Sequence, residues 1–185
     1  MADTSEVDCI QIVSYIKRNP ALSLAQFYEH WENVHARKVI PWAKKHGILR
    51  YQQVRRSFPI TFSQPAHHLQ VYTAGSIVPI PATASAPNAV SRGELPTTPV
   101  AFDGIAIFLV PSLQQFNAAF EDPYYVDVIE VDERVILDKN GPGSGVLASF
   151  NGKMTDMMQR GQNAIGDKGE EYRNLWEEYE KRAKV

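Results

Sequence analysis

A strand–helix–strand pattern occurs twice in this chain of 185 residues, and it limits the possible folds more than any other feature of the sequence. In each copy an apolar stretch is followed by a serine with glutamine three residues later, at Ser23 and again at Ser112. This spacing is typical of a capping box, in which the two side chains bond to free amides at a helix start. Two such units predict an α+β fold with a ferredoxin-like β-α-β-β-α-β order, in which two helices lie on one face of an antiparallel sheet.

The first copy extends from a strand at Val7–Tyr15 to a strand at Leu49–Phe58. Between them a helix begins after Ser23 and ends at Gly47, with a kink or restart expected at Pro41, which lacks an amide proton. Alternation in the second strand places one set of side chains on a common face: Tyr51, Gln53 and Arg55.

The second copy begins with the most apolar stretch of the chain, a predicted strand at Ala101–Val110. A helix follows Ser112 and ends or is interrupted at Asp122-Pro123. The β-branched residues that come next predict the fourth strand, approximately at Val128–Ile136. Gly145–Phe150 is a candidate for one more short strand.

Length and composition favour a single domain spanning residues 1–185, with two appended segments. Residues 59–100 hold seven of the twelve prolines, which predicts either an ordered insertion or a disordered loop. Residues 153–185 predict a helical tail, with Tyr172, Leu175, Trp176 and Tyr179 at helical spacing. We expect this tail helix to dock on the domain or on a partner subunit.

Composition and charge exclude several classes of partner. The formal net charge of −2 gives no attraction to nucleic acid or to an anionic membrane, and no apolar run is long enough for membrane insertion. Cys9 is the only cysteine, and no signal peptide is visible, so a cytoplasmic location is expected. Because too little chain remains to cover the second face of the sheet, we expect a homodimer.

The first predicted helix carries the residues best suited to chemistry. His30 and His35 flank its apolar stripe, with Lys38 on the same side, and histidine is the side chain most readily poised for proton transfer near neutral pH. The alternative is that both histidines only pack at the edge of the core. Asp103, in an apolar strand, faces either water at the strand end or a cavity where it would orient a histidine. A structural or interfacial ion pair is expected for Asp132 and Glu133 in the fourth strand.

The sequence predicts neither a metal site nor a cofactor. His30 and His35 are five residues apart, not the four that share one face of an α-helix, and the neighbours His67 and His68 would point opposite ways on an extended chain. The glycines at 141–145 lack the spacing of a phosphate loop, and no nucleophile elbow or dinucleotide fingerprint occurs. Cofactor-free chemistry or simple binding is therefore favoured.

Several motifs resemble the signature of EthD-domain proteins. They are the FYEHWENVHA run at 27–36, GILRYQQ at 47–53, FDG at 102–104, DPYY at 122–125 and VDE at 131–133. The resemblance covers residues 7–138 and implies a dimeric α+β barrel, in which two ferredoxin-like sheets face each other. The motifs at 150–154 and 176–180 resemble the longer members from filamentous fungi. The family pattern continues after its His-Ala pair with proline and an apolar residue, whereas this chain has Arg37-Lys38 there.

The resemblance implies an enzyme of aromatic polyketide biosynthesis that acts as a cofactor-independent dehydratase. Its pocket would lie between the sheet and the first helix, with His35 as the acid–base group and His30 and Asp103 as further catalytic candidates. Tyr51 and Gln53 would hydrogen-bond the enolate, while Tyr28 and Trp31 would stack on a flat ligand or else belong to the core. The alternatives are a decarboxylase that holds a carboxylate with Lys38 or Arg55, a carrier of a hydrophobic metabolite, and a haem-binding barrel.

Overall fold

The computed structural model describes residues 9–55, 76–77 and 100–183. These residues divide into two compact units, Met1–Lys153 and Met154–Val185. The predictions for residues 59–75 and 78–99, which include His67 and His68, lie outside the described residues. Of the described helices, none is both long and apolar enough to cross a membrane.

The first unit is built on one antiparallel sheet of four strands. Its strands are β1 (Ile10–Ile16), β2 (Arg50–Arg55), β5 (Gly104–Val110) and β6 (Val146–Lys153). Between β2 and β5 in the sequence, β3 (Ser76–Ile77) and β4 (Val100–Ala101) pair as a separate two-stranded ribbon. The spatial order is β2-β5-β1-β6, with every neighbouring pair antiparallel. This order is that of a ferredoxin-like unit, so the predicted fold class is confirmed at the level of an antiparallel α+β sheet.

Two long helical segments connect the strands, and each contains one turn of π-helix. The first comprises α1 (Leu24–His30), a π turn (Trp31–His35) and α2 (Ala36–Lys45). The second comprises α3 (Leu113–Ala119), a π turn (Tyr125–Ile129) and α4 (Glu130–Ile136). We call these the first and second π turns.

The predicted helix starts agree with the structure. Ser23 and Gln26 form a complete capping box, and the Ser112 hydroxyl accepts the amide proton of Gln115. Gly47, with a φ of +67°, follows the end of α2 in the left-handed conformation that glycine tolerates best. Of the kink or restart expected at Pro41, the restart does not occur, since α2 continues through Pro41 and the irregular turn lies earlier, at Trp31–His35.

Strand register separates the two faces of the sheet. The face toward the helices carries Ile12, Ile16, Tyr51, Ala106 and Phe108, which pack against the helical residues of two core clusters. The clusters centre on Trp42 with Tyr125, and on Phe27 with Trp31. The opposite face carries Val13, Tyr15, Val54, Ile105, Ile107 and Phe150.

The fourth strand predicted at Val128–Ile136 is wrong, because this segment is helical. Its buried residues are Ile129, Asp132, Glu133 and Ile136, at the i, i+3, i+4, i+7 spacing of a helix face. The valines that suggested a strand, Val131 and Val135, are half exposed on the outer side. Helical packing therefore overrides local β-propensity here, and β6 at Val146–Lys153, near the short candidate strand, completes the sheet.

The second unit contains a hairpin and a helix. Strands β7 (Met158–Gln159) and β8 (Gln162–Asn163) pair, a 3₁₀ turn follows at Gly166–Glu170, and α5 extends over Arg173–Ala183. Helix thus occupies the last third of the predicted helical tail. The four side chains of its apolar stripe are all exposed.

Candidate acid–base site and groove

The first π turn changes which residues of the helix share a face. Its defining bond joins the amide of Ala36 to the carbonyl of Trp31, five residues earlier. In a regular α-helix, residues five apart point about 140° away from each other, at 3.6 residues per turn. The wider turn reduces this offset, and His30 and His35 bind the same partner across the helix layer. The two histidines, which the sequence placed on either side of one stripe with Lys38 between them, thus share one carboxylate with that lysine.

That shared partner is Asp132, on the first turn of α4. Its Oδ1 accepts hydrogen bonds from His30 Nε2 at 2.9 Å and Lys38 Nζ at 2.5 Å, and its Oδ2 accepts one from His35 Nδ1 at 2.9 Å. We call these four residues the Asp132 cluster. Its floor is buried, with side-chain exposures of 3% for Asp132 and 8% for His35, while His30 and Lys38 are about a third exposed at its rim.

The surroundings of Asp132 keep its carboxylate ionised. Burial alone would raise the pKa, but the hydrogen bonds from His35, Lys38 and His30 together outweigh it and lower the pKa well below its ordinary value. One negative charge therefore faces three basic side chains. A cluster of this composition retains positive charge whenever a histidine is protonated, which favours anionic groups at its rim.

The hydrogen bond to Asp132 also fixes the tautomer of His35. An ionised carboxylate only accepts, so Nδ1 carries the proton and the lone pair lies on Nε2. Among the described residues Nε2 has no hydrogen-bond partner. His35 is as buried as Val39 and Trp42, which follow it at i+4 and i+7 on the same helix face. The imidazole is thus buried against α4, with Nε2 available to a reacting group.

A groove of about 360 Å³ lies between α2 and the edge strand β2. Its walls are mostly apolar: Ala36, Ile40, Ala43 and Ile48. The polar groups are Lys44, Tyr51 and Gln53, and Lys44 has no ion-pair partner in the described part of the chain. The resemblance implies a pocket between the sheet and the first helix, and this groove lies between α2 and β2, but Tyr51 and Gln53 are the only predicted site residues among the described residues of its lining and His35 is not part of it. The groove suits a flat apolar ligand with an anionic group.

Tyr51 and Gln53 are joined at the floor of the groove. Gln53 Nε2 donates to the Tyr51 hydroxyl at 2.6 Å and to the Trp31 carbonyl at 3.1 Å. Burial raises the pKa of Tyr51, and the nearby negative charge of Glu133 also raises it, although the bond from Gln53 acts in the opposite direction. Tyr51 therefore stays protonated, as a hydrogen-bond donor must.

The structure places the aromatic candidates Tyr28 and Trp31 in the core. Both are 2% exposed, and the Tyr28 hydroxyl donates to the carbonyl of Asp103 at 2.7 Å. Trp31 stacks on Phe27 and lies over Gly104, where a Cβ atom would come within 2.6 Å of its ring. Both rings therefore pack inside the protein. Of the two roles considered for them, stacking on a ligand and packing in the core, the structure shows core packing.

Asp103 is not brought to the histidines. It precedes β5, and its carboxylate accepts from the backbone amide of Arg18 at 3.1 Å and pairs with Lys17 at 3.4 Å. Arg55, the alternative carboxylate holder, pairs with Glu32 at 3.0 Å. Asp132, which the sequence placed in a strand, is therefore the carboxylate that orients a histidine, the role expected for Asp103.

A second histidine–carboxylate cluster lies at the far end of α2. Asp122 Oδ2 accepts from His46 Nε2 and Lys45 Nζ, each at 2.6 Å, while Oδ1 accepts from the amide of Tyr124. Hydrogen bonds from Lys45, His46 and Tyr124 lower the pKa of Asp122 to about 2. This cluster ties the end of α2 to the loop between α3 and the second π turn.

Glu133 and Lys44 are two polar residues that sequence reasoning did not single out as site residues. Glu133 is buried beside Asp132, where it accepts from Tyr125 at 3.0 Å and pairs with Lys139 at 2.7 Å. The helical spacing of Ile129, Asp132, Glu133 and Ile136 was the available signal. In the described segments, no group of three or more His, Cys, Asp or Glu side chains is arranged to hold a metal ion.

Residues 19–140 match the model of the EthD domain. A solved structure of an EthD family protein from Bacillus halodurans C-125 is similar over 80% of this chain and 99% of its own, at 17% identity and a TM-score of 0.38. No curated protein matches this chain.

Proposed function

Because this chain belongs to the EthD domain family, we propose that it is a cofactor-independent lyase that dehydrates an aromatic or polycyclic polyketide intermediate of fungal secondary metabolism by general acid–base catalysis. One observation carries the proposal. His35 is buried and is held by Asp132 in the tautomer that leaves Nε2 unprotonated. A base needs that arrangement, with an unpaired lone pair, a fixed ring and a carboxylate to stabilise the imidazolium.

In the proposed reaction, His35 Nε2 removes a proton from the carbon next to a ketone. The electron pair of the C–H bond moves to the ketone oxygen, and the Tyr51 hydroxyl donates a hydrogen bond to the enolate that forms. When the enolate collapses, the C–O bond to the neighbouring hydroxyl breaks. Protonated His30 gives its proton to the departing hydroxide, so water leaves and a carbon–carbon double bond remains. The proton on His35 is then returned to His30 through solvent at the exposed rim.

The groove supports the substrate class. Its apolar walls suit fused rings, and such substrates gain aromatic stabilisation on losing water, so general acid–base catalysis of about 10²–10⁴-fold is sufficient. We propose that the ring system lies in the groove with its ketone on Tyr51 and its acidic carbon toward His35.

A decarboxylase is the second candidate, and Lys44 favours it. Its ammonium lies in the groove without an ion-pair partner among the described residues, whereas Lys38 binds Asp132 and Arg55 binds Glu32. A substrate carboxylate on Lys44 would be lost as carbon dioxide, and protonated His35 would then protonate the carbanion.

The test is incubation of the purified protein with hydroxylated and carboxylated aromatic polyketides, followed by mass spectrometry. We expect loss of water above the spontaneous rate, reduced by about 10²–10⁴-fold in His35→Ala with ligand affinity retained. His46→Gln is the matched control, because it breaks a histidine–carboxylate pair on the same helical segment outside the groove. Loss of carbon dioxide would establish the second candidate, and binding without turnover in the unaltered protein would establish a carrier.

A further inference from the structure

Gln53 connects the groove to the first π turn, and its contacts define a role distinct from that of Tyr51. A glutamine amide nitrogen has two N–H bonds. In Gln53 one is directed at the Tyr51 hydroxyl and the other at the Trp31 carbonyl. Both donors are thus committed within the protein. The Tyr51 oxygen accepts one of them, so the phenolic proton of Tyr51 is the donor that a bound ketone can use.

The Trp31 carbonyl is the structural hinge of the first π turn. It accepts the amide proton of Ala36, and Gln53 occupies its second lone pair. In a regular α-helix this carbonyl would accept the amide of His35 instead. The bond from Gln53 therefore stabilises the carbonyl in the position that the wider turn requires.

The wider turn is what brings both histidines to Asp132. Without it, the segment on one side of Trp31 would rotate by about 100°, one residue of α-helix, relative to the other side. His30 and His35 could then not bind the two oxygens of one carboxylate together. We propose that Gln53 is a positioning residue, which holds the first π turn open and so fixes the tautomer of His35 while it orients Tyr51.

The effect of Gln53 on turnover rests on the proposed function. Its effect on the protonated nitrogen of His35 is a structural prediction that does not. Gln53→Met keeps the length of the side chain and removes both N–H donors. Gln52→Met is the matched control, since the neighbouring glutamine faces the opposite side of the sheet. Tyr51→Phe removes the hydroxyl and leaves the bond from Gln53 to Trp31 intact.

The experiment measures the protonated nitrogen of His35 by long-range ¹H–¹⁵N NMR in the uniformly ¹⁵N-labelled protein. We expect protonation at Nδ1 in the unaltered chain, in Gln52→Met and in Tyr51→Phe, and a mixture of Nδ1–H and Nε2–H forms in Gln53→Met. Turnover should fall by ~10²-fold in Gln53→Met with KM nearly unchanged, as for a misplaced catalytic group.

If Gln53→Met does not fold, Gln53→Glu replaces it, because a carboxylate has a similar shape and no N–H to donate. An unchanged Nδ1–H signal of His35 in a folded Gln53 variant would overturn the inference. Because the NMR signal needs no substrate, it decides this role even if the chain proves not to be a lyase.

Discussion

Asp132 organises the candidate site at the scale of single residues. One carboxylate accepts hydrogen bonds from His30, His35 and Lys38, and it is itself almost fully buried. Burial of an unpaired charge would be costly, so the three donors and the carboxylate depend on each other. The same set of bonds fixes the His35 tautomer, and this links the stability of the fold to the chemistry proposed for it.

The pH dependence of stability is the prediction at this scale. Because the pKa of Asp132 is lower in the folded chain than its ordinary value of 3.8, the folded state binds fewer protons there than the unfolded state. The stability that Asp132 contributes is therefore fully present when the pH is above its ordinary pKa of 3.8. This stability is lost as the pH falls below 3.8 toward the lower pKa of the folded chain. Asp122, with its pKa of about 2, acts in the same direction.

We expect Asp132→Asn to lower the free energy of unfolding by ~1–3 kcal/mol at pH 7, and to make its fall with acidification shallower but not flat, since Asp122 remains. Urea unfolding between about pH 2 and pH 7 measures this, because the loss of stability begins below the ordinary pKa of 3.8, inside that range. Asp127→Asn, an exposed position in the second π turn, should change stability by less than about 0.5 kcal/mol. Equal pH slopes for Asp132→Asn and the unaltered chain would contradict the account.

At the scale of elements, the helix starts and three strands of the sheet could be predicted from the sequence. The two π turns could not. Ser23 and Ser112 signal their helices by local hydrogen bonding, which the sequence shows directly. A π turn has no such signal, because it depends on contacts from elsewhere, such as Gln53 on the Trp31 carbonyl. Since the turn decides whether His30 and His35 share a face, the sequence showed both candidates but not that they meet.

The segment at Tyr125–Ile136 was misread as a strand for a related reason. Its exposed valines follow β-propensity, whereas its buried positions follow helical spacing and are partly polar. Asp132 and Glu133 do not look like core residues until their partners on other elements are known. Sequence reasoning therefore missed the residue that joins the two helical segments, while the role of His35 as a base stays a prediction.

At the scale of the whole molecule, the sheet face away from the helices bears on the expected homodimer. Val54 and Phe150 on this face are 45% and 65% exposed, and Val13, Ile105 and Ile107 are half-buried beside them. An exposed apolar patch of this kind is typical of an interaction surface. We propose that a second copy of the chain covers it, as the ferredoxin-like sheet and the family resemblance suggest.

The prediction at this scale is that Ile107→Lys gives a monomer, because it places a charge at the centre of that face. Light scattering coupled to size exclusion should show twice the chain mass for the unaltered protein and the single chain mass for the variant. Val126→Lys, which alters an exposed valine in the second π turn, should remain dimeric. A monomeric unaltered protein at micromolar concentration would contradict the proposal.

The central claim is that His35, oriented by Asp132, removes a proton from carbon. The most direct test is hydrogen–deuterium exchange, in D₂O, of a polycyclic aromatic ketone that has an acidic C–H but neither a hydroxyl nor a carboxylate to lose. Such a compound tests proton transfer without assuming which group leaves. The account predicts exchange about 10²–10⁴-fold faster than in buffer, lost in His35→Ala, reduced in Asp132→Asn and retained in His46→Gln. Exchange no faster than in buffer, with the ketone demonstrably bound, would contradict the account and identify the chain as a carrier.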